Sequence, residues 1–150
     1  MDYDGLYADA KADIQKASSI LFDFAVKLLA KQGMFLPFAA TLESDGELSH
    51  YAAAPDHEVT NALEVLPLLH QGLRAAITST TRAVVVCEWV KITRDDEAQT
   101  DAVKLLIEHR NGLVVALYLP MRKPLFRKWV SGEIFAVPAT AEVGLVHRPT

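Results

Sequence analysis

Between positions 6 and 31 the apolar residues Ala10, Ile14, Ala17, Leu21, Phe24 and Leu28 recur at spacings of 4, 3, 4, 3 and 4. That rhythm predicts a long amphipathic helix with one buried stripe, ended by Gly33. Asp9, Asp13, Lys16, Asp23, Lys27 and Lys31 largely occupy the rest of its surface. From Phe35 the pattern changes. Phe35 to Leu42 reads as a strand, Ser44-Asp45-Gly46 as a turn and Glu47 to Ala54 as the partner strand. Pro37 has no N–H to give a ladder, so it belongs at a sheet edge, a bulge or a strand's beginning.

A second helix is expected from His57 to about Thr78, capped by Asp56, with Val59, Leu63, Leu66, His70, Leu73 and Ile77 on its stripe. Pro67 should kink or restart it. The valine-rich run from Arg82 to Thr93 is a strand, and Arg94 to Thr100 an acidic loop. Asp101 to Pro120 is a hairpin whose Asn111-Gly112 pair suits the positive φ angles of a two-residue turn. Lys128 to Val137 is the last strand, ending near Pro138.

The order α-β-β-α-β-β-β-β predicts a single α+β domain over residues 1–150. Its expected form is a two-layer sandwich, two helices on one face of a five- or six-stranded antiparallel sheet. This order is similar to that of profilin-like and roadblock-type domains. The string Phe35-Leu36-Pro37-Phe38-Ala39-Ala40 with Asp45-Gly46-Glu47 resembles the start of a small uncharacterised bacterial α+β protein family, a likeness that implies no activity.

Composition changes the picture in one respect. Hydrophobic residues make up 51% of the chain, and strand parity puts apolar side chains on both faces of the central strands. With both helices on one face, the other should be buried against a second subunit, so a homodimer or a heteromer is expected. The net charge of −4 is unevenly placed: residues 1–100 carry 8 Lys/Arg against 15 Asp/Glu, residues 101–150 carry 7 against 4. An acidic chain disfavours nucleic-acid binding. The single cysteine, Cys87, rules out an intramolecular disulfide and a multi-cysteine zinc site. An acidic start without an apolar run, and no stretch long enough to span a bilayer, lead to an expected cytoplasmic protein with no membrane partner.

Candidate chemistry is sparse. Cys87 and His109 could form a nucleophilic dyad with Glu88 or Glu108 orienting the imidazole, but alternation turns each glutamate to the opposite face. The valines before Cys87 mark it as a buried, inert thiol. Asp56-His57-Glu58 diverge around a helix and suit a cap better than a metal; His50 could join only across a loop. His70 lies on the stripe of the second helix, where it would line a pocket or sit at the stripe's border. Asp95-Asp96-Glu97 lacks the alternation and central glycine of a calcium loop. Arg122-Lys123-Pro124-Leu125-Phe126-Arg127-Lys128-Trp129 interleaves four cations with apolar and aromatic residues. It could hold an acidic partner or a phosphate, unless its apolar residues fold back on the core.

No phosphate-loop, dinucleotide or nucleophile-elbow motif occurs. The expected function is a non-catalytic protein–protein interaction module of adaptor, chaperone-like or immunity type, without a cofactor or metal. Its binding residues would be Arg122, Lys123, Phe126, Arg127, Lys128 and Trp129. The alternative is a small-molecule-binding protein or enzyme with a pocket between the second helix and the sheet, formed by His70, Cys87, Glu88 and His109.

Overall fold

The computed structural model describes residues 2–52, 62–95, 97–124 and 128–147. Helix α1 runs over Tyr3–Gln32. The Asp2 carboxylate caps its start by accepting the Gly5 N–H at 3.1 Å. Gly33, at φ 79°, closes its end by returning its N–H to the Leu29 carbonyl. Strands β1 (Phe38–Glu43) and β2 (Leu48–Tyr51) form the first hairpin, followed by helix α2 (Ala62–Ala76). Then come β3 (Thr81–Ile92), β4 (Thr100–His109), β5 (Val114–Arg122), β6 (Val130–Ser131) and β7 (Phe135–Pro138).

The α+β class holds, with every strand pair antiparallel and a sheet order of β2-β1-β3-β4-β5-β6. The expected last strand is broken in two. Beside β5, β6 meets Met121 and Arg122 while β7 meets residues 115–118, so the sheet has seven strands rather than five or six. Pro37 falls just before β1 and costs the ladder nothing.

The helices pack on opposite faces, not on one. Ala10, Ile14, Ala17, Leu21, Phe22, Ala25 and Leu29 of α1 bury against Ala40, Val85, Cys87, Leu105, Ile107 and Leu117. Val65, Leu69 and Leu73 of α2 bury against Ala39, Val84 and Val86, and Val143 from the segment after β7 joins them. The apolar parity of β3 is therefore satisfied within the chain: odd positions serve α1, even positions α2 and residues 143–145. The surface that argued for a homodimer is covered from inside.

Both helical stripes also roll away from the expected ones. After Leu21, α1 buries Phe22, Ala25 and Leu29 in place of Phe24, which is 41% exposed. In α2, Leu63 is 85% exposed and Val65 takes the core position. Asp56, His57, Glu58 and Val59 lie outside the described residues.

Candidate functional site

On the α1 face, the two groups proposed as a dyad are far apart. Cys87 pairs in register with Leu105, and His109 with Ala83, a separation of four residues along β3. At about 3.3 Å per residue that is roughly 13 Å. Cys87 is fully buried, and burial followed by the nearby Glu88 charge pushes its thiol well up, away from the reactive thiolate. His109 Nε2 lies 2.8 Å from Asp13 Oδ2, while its Nδ1 accepts the Asn111 N–H at 3.1 Å. An acceptor at Nδ1 assigns the ring proton to Nε2, which donates it to Asp13. Asp13 also takes a 2.6 Å bond from Arg82, and Asn111 donates to the Leu6 carbonyl and to Asp9. These bonds clamp α1 to the β4–β5 turn and leave the imidazole no nitrogen for a substrate.

On the α2 face, Glu108 is buried and accepts four backbone N–H groups, from Glu142, Val143, Gly144 and Leu145, at 2.7–3.1 Å. Arg74 of α2 binds the same segment through the Val143 and Glu142 carbonyls, both at 2.8 Å. The segment is thus a strap, tied at once to the sheet and to α2. Beside it stand the remaining candidates. Burial raises the carboxyl of Glu88; Lys104, opposite it at 3.7 Å, opposes that rise, and Glu142 adds to it. Burial lowers His70, Glu142 pulls it back up, Arg74 pushes it further down, and Glu108 opposes. His70 and Glu88 therefore share Glu142 as a neighbour, while Cys87 and His109 lie across the sheet. Among the described residues, His70 Nε2 is buried without a hydrogen-bond partner, and no three side chains are grouped to hold a metal.

The basic segment folds back in part. Trp129 is half-buried, meets Trp89 edge-on at 5.3 Å and joins the α1-side core, while Arg122, Lys123 and Lys128 are exposed. Lys123 sits 5.8 Å over the Trp129 ring. Phe126 and Arg127, like Leu125, lie outside the described residues. From Trp129 an unbroken row of rings crosses this end of the molecule. Trp89 contacts Phe35 at 6.0 Å, Phe35 contacts Phe38 at 5.6 Å, Phe38 contacts Phe24 at 5.1 Å and Phe24 contacts His50 at 5.7 Å. The row ends in an open groove of ≈ 380 Å³ lined by Phe24, Phe38, His50, Tyr51 and Ala52. Beside the groove runs β2, which among the described strands pairs only with β1.

The groove is what the sequence reading missed. The 4-3-4-3-4 spacing places Phe24 in the core, and His50 stands out in the sequence only as a histidine that could join Asp56-His57-Glu58 across a loop, a set better suited to a helix cap than to a metal. The usable signal was the pair Ile20 and Phe24 at helical i, i+4 spacing, 40% and 41% exposed and one step off the buried stripe. No helix among the described residues is long and apolar enough to cross a membrane. No protein-family model, curated protein or solved structure matches the chain.

Proposed function

We propose that this chain is a non-catalytic protein–protein interaction domain that takes an extended segment of another polypeptide beside β2. The carrying observation is the aromatic groove, where Phe24 stands 41% exposed and edge-on to Phe38 beside β2, which among the described strands pairs only with β1. A partner strand would complete backbone hydrogen bonds along β2 while an apolar side chain fills the groove. The polar groups of the α1 face support the same reading: Cys87 is sealed and His109 is bonded at both nitrogens. Because α2 and the strap cover the second face, the partner is read as a different chain, making the assembly a heteromer.

A photo-crosslinking residue, p-benzoylphenylalanine, placed at Phe24 in cells should give a discrete adduct with another polypeptide. The same residue at exposed Ala12, further along α1, should give none. Absence of an adduct at Phe24, or identical products from both positions, would refute the proposal.

A second reading is favoured by one observation: Glu88 faces Lys104 at 3.7 Å, and Glu142 of the strap acts electrostatically on both His70 and Glu88. Perturbed acid and base groups brought together suit a small polar ligand. Ligand-induced thermal shifts that vanish in Glu88→Gln, but persist in Phe24→Ser, would replace the first reading with this one.

A further inference from the structure

The hydrogen bonds of the first hairpin show which backbone groups of β2 are left over. The Glu43 N–H bonds the Glu47 carbonyl at 2.9 Å, and from there the register pairs Leu42 with Leu48, Thr41 with Ser49, Ala40 with His50 and Ala39 with Tyr51. Hydrogen-bonded and non-hydrogen-bonded pairs alternate in an antiparallel ladder, so Glu47, Ser49 and Tyr51 turn their backbone groups to β1. Leu48 and His50 turn theirs the other way, to the side where no described strand lies. The same alternation sorts the side chains. Leu48 packs on the α1-side core and His50 meets Phe24 at 5.7 Å, so both lie on the α1 face. The residues with free backbone groups are thus the ones beside the groove.

The opposite edge is built otherwise. The Ala139 N–H bonds the Val114 carbonyl at 3.1 Å, which leaves Ala136 and Pro138 of β7 facing outward. Pro138 has no N–H, so within β7 only Ala136 offers one to a further strand. Charge marks one end of β2. Glu43 and Glu47 stand opposite each other across the hairpin, and Glu43 Oε1 accepts from the Thr80 and Thr81 hydroxyls at 3.3 and 3.4 Å. Like charges placed so repel. Lys16 and Arg82 reach this turn through the Gly46 and Ser44 carbonyls, and the exposed Glu47 enters no ion pair among the described residues. Residues 1–100 as a whole carry 8 Lys/Arg against 15 Asp/Glu, a balance that attracts a basic partner.

We infer that the partner segment is a basic strand that pairs antiparallel to β2, with an apolar residue opposite His50 and a lysine or arginine three residues later, opposite Glu47. This deepens the proposed function and rests on it. Alternation puts the residue opposite His50 on the α1 face, where its side chain enters the groove of Phe24 and Phe38. Three positions on, the side chain lies on the other face, beside Glu47 and diagonal to Glu43. A second copy of the chain lacks this feature, because Glu47-Leu48-Ser49-His50-Tyr51-Ala52 contains no lysine or arginine to set against Glu47. Antiparallel pairing continues the rest of the sheet and gives the slightly more stable ladder.

Four labelled peptides on a serine–threonine background test this. The first has leucine with arginine three residues after it. The second has glutamate for that arginine, the third has arginine three residues before leucine, and the fourth has serine for leucine. Each is titrated to millimolar concentration into the full chain, and amide NMR follows shifts and hydrogen exchange. The first peptide should slow exchange at Leu48 and His50 and shift Phe24. It should bind about fivefold more tightly than the glutamate peptide, and Glu47→Lys, on the exposed turn, should reverse that order. The serine peptide should leave the groove unshifted. Equal binding of the arginine and glutamate peptides would overturn the basic partner, and equal binding with arginine before leucine would overturn the antiparallel register; in both cases the interaction domain stands. A free chain that is dimeric, with Leu48 and His50 already slow to exchange, would make a second copy the occupant. If no peptide reaches β2 the inference fails, and crosslinking at Phe24 decides separately whether the interaction domain fails with it.

Discussion

Glu108 holds the strap from the sheet side, because a single carboxylate satisfies four consecutive N–H donors. Glutamine would keep one accepting oxygen and turn an NH₂ toward donors. Glu108→Gln should therefore cost about 3 kcal/mol, the scale of two lost charge-assisted bonds in a buried setting, read as a drop in urea midpoint. An unchanged midpoint would mean that the strap is not held this way. His70 and Glu88 give the pH dependence, with opposite signs. The folded state lowers His70 below the ordinary imidazole value of 6.5, so it disfavours the charged ring, and stability is lost as pH falls through 6.5 toward the folded value. It raises Glu88 above the ordinary 4.5, so it favours the neutral acid, and stability is gained as pH falls through the raised value toward 4.5. Urea unfolding should show the wild-type advantage over His70→Gln shrinking on acidification and that over Glu88→Gln growing. Parallel curves for either variant would refute its assignment. Cys87, sealed under α1, should react with thiol reagents only in denaturant; fast labelling in native buffer would contradict its burial.

At the scale of elements, the β4–β5 turn differs from the expected two-residue form. The Gly112 N–H returns to the His109 carbonyl at 2.9 Å, and the His109 N–H reaches Leu113 at 2.8 Å. Only Gly112 takes a positive φ, of 99°. The loop is thus three residues, Arg110-Asn111-Gly112, with the glycine in the left-handed position. Asn111 is kept for its side chain, which accepts the Leu113 N–H and donates to α1. Gly112→Val should cost about 1–3 kcal/mol through strain at that φ, or several degrees in Tm. Gly46→Ala, in the β1–β2 turn, tests a second such position. Strands and turns were legible from the sequence because period-2 alternation and Asn-Gly, Asp-Gly and Pro signals are local. Helix faces were less so. The 4-3-4-3-4 count of α1 runs on to Phe24 and Leu28, whereas the buried stripe steps 4-3-4-4-4 through Ala25 and Leu29, and only the sheet beneath selects between them. The candidate site was less legible still, since the strap that brings Glu142 to His70 and Glu88 is irregular and far away in sequence.

The molecule as a whole turns on which faces its own elements cover. With both helices on one side, the valines of β3 would have demanded a second copy. With α1 on one side and α2 plus the strap on the other, Val84, Val86 and Val143 are buried to 1–2% exposure inside one chain. Among the described residues the apolar surface left over is scattered: the Ile20–Phe24 stripe with its groove, Met34 after α1, Leu63 at the start of α2, Val130, Ile134 and Val137 beside the last strands, and Val146. The sheet edges there are short, β2 with four residues and β6 with two, and β7 ends at Pro138, which limits edge-to-edge pairing of identical chains. The isolated chain should accordingly scatter light as a monomer of 16.5 kDa near micromolar concentration. The strap should be what keeps it so. Ending the chain at Pro138 removes Val143 and Leu145 from the α2 face and strips Glu108 of its four donors, exposing part of an apolar sheet next to an unsatisfied carboxylate. That shortened chain should self-associate or precipitate under conditions where the full chain stays monomeric. A full-length dimer, or a shortened chain that remains monomeric with an unchanged urea midpoint, would show that the strap is not the cover of this face.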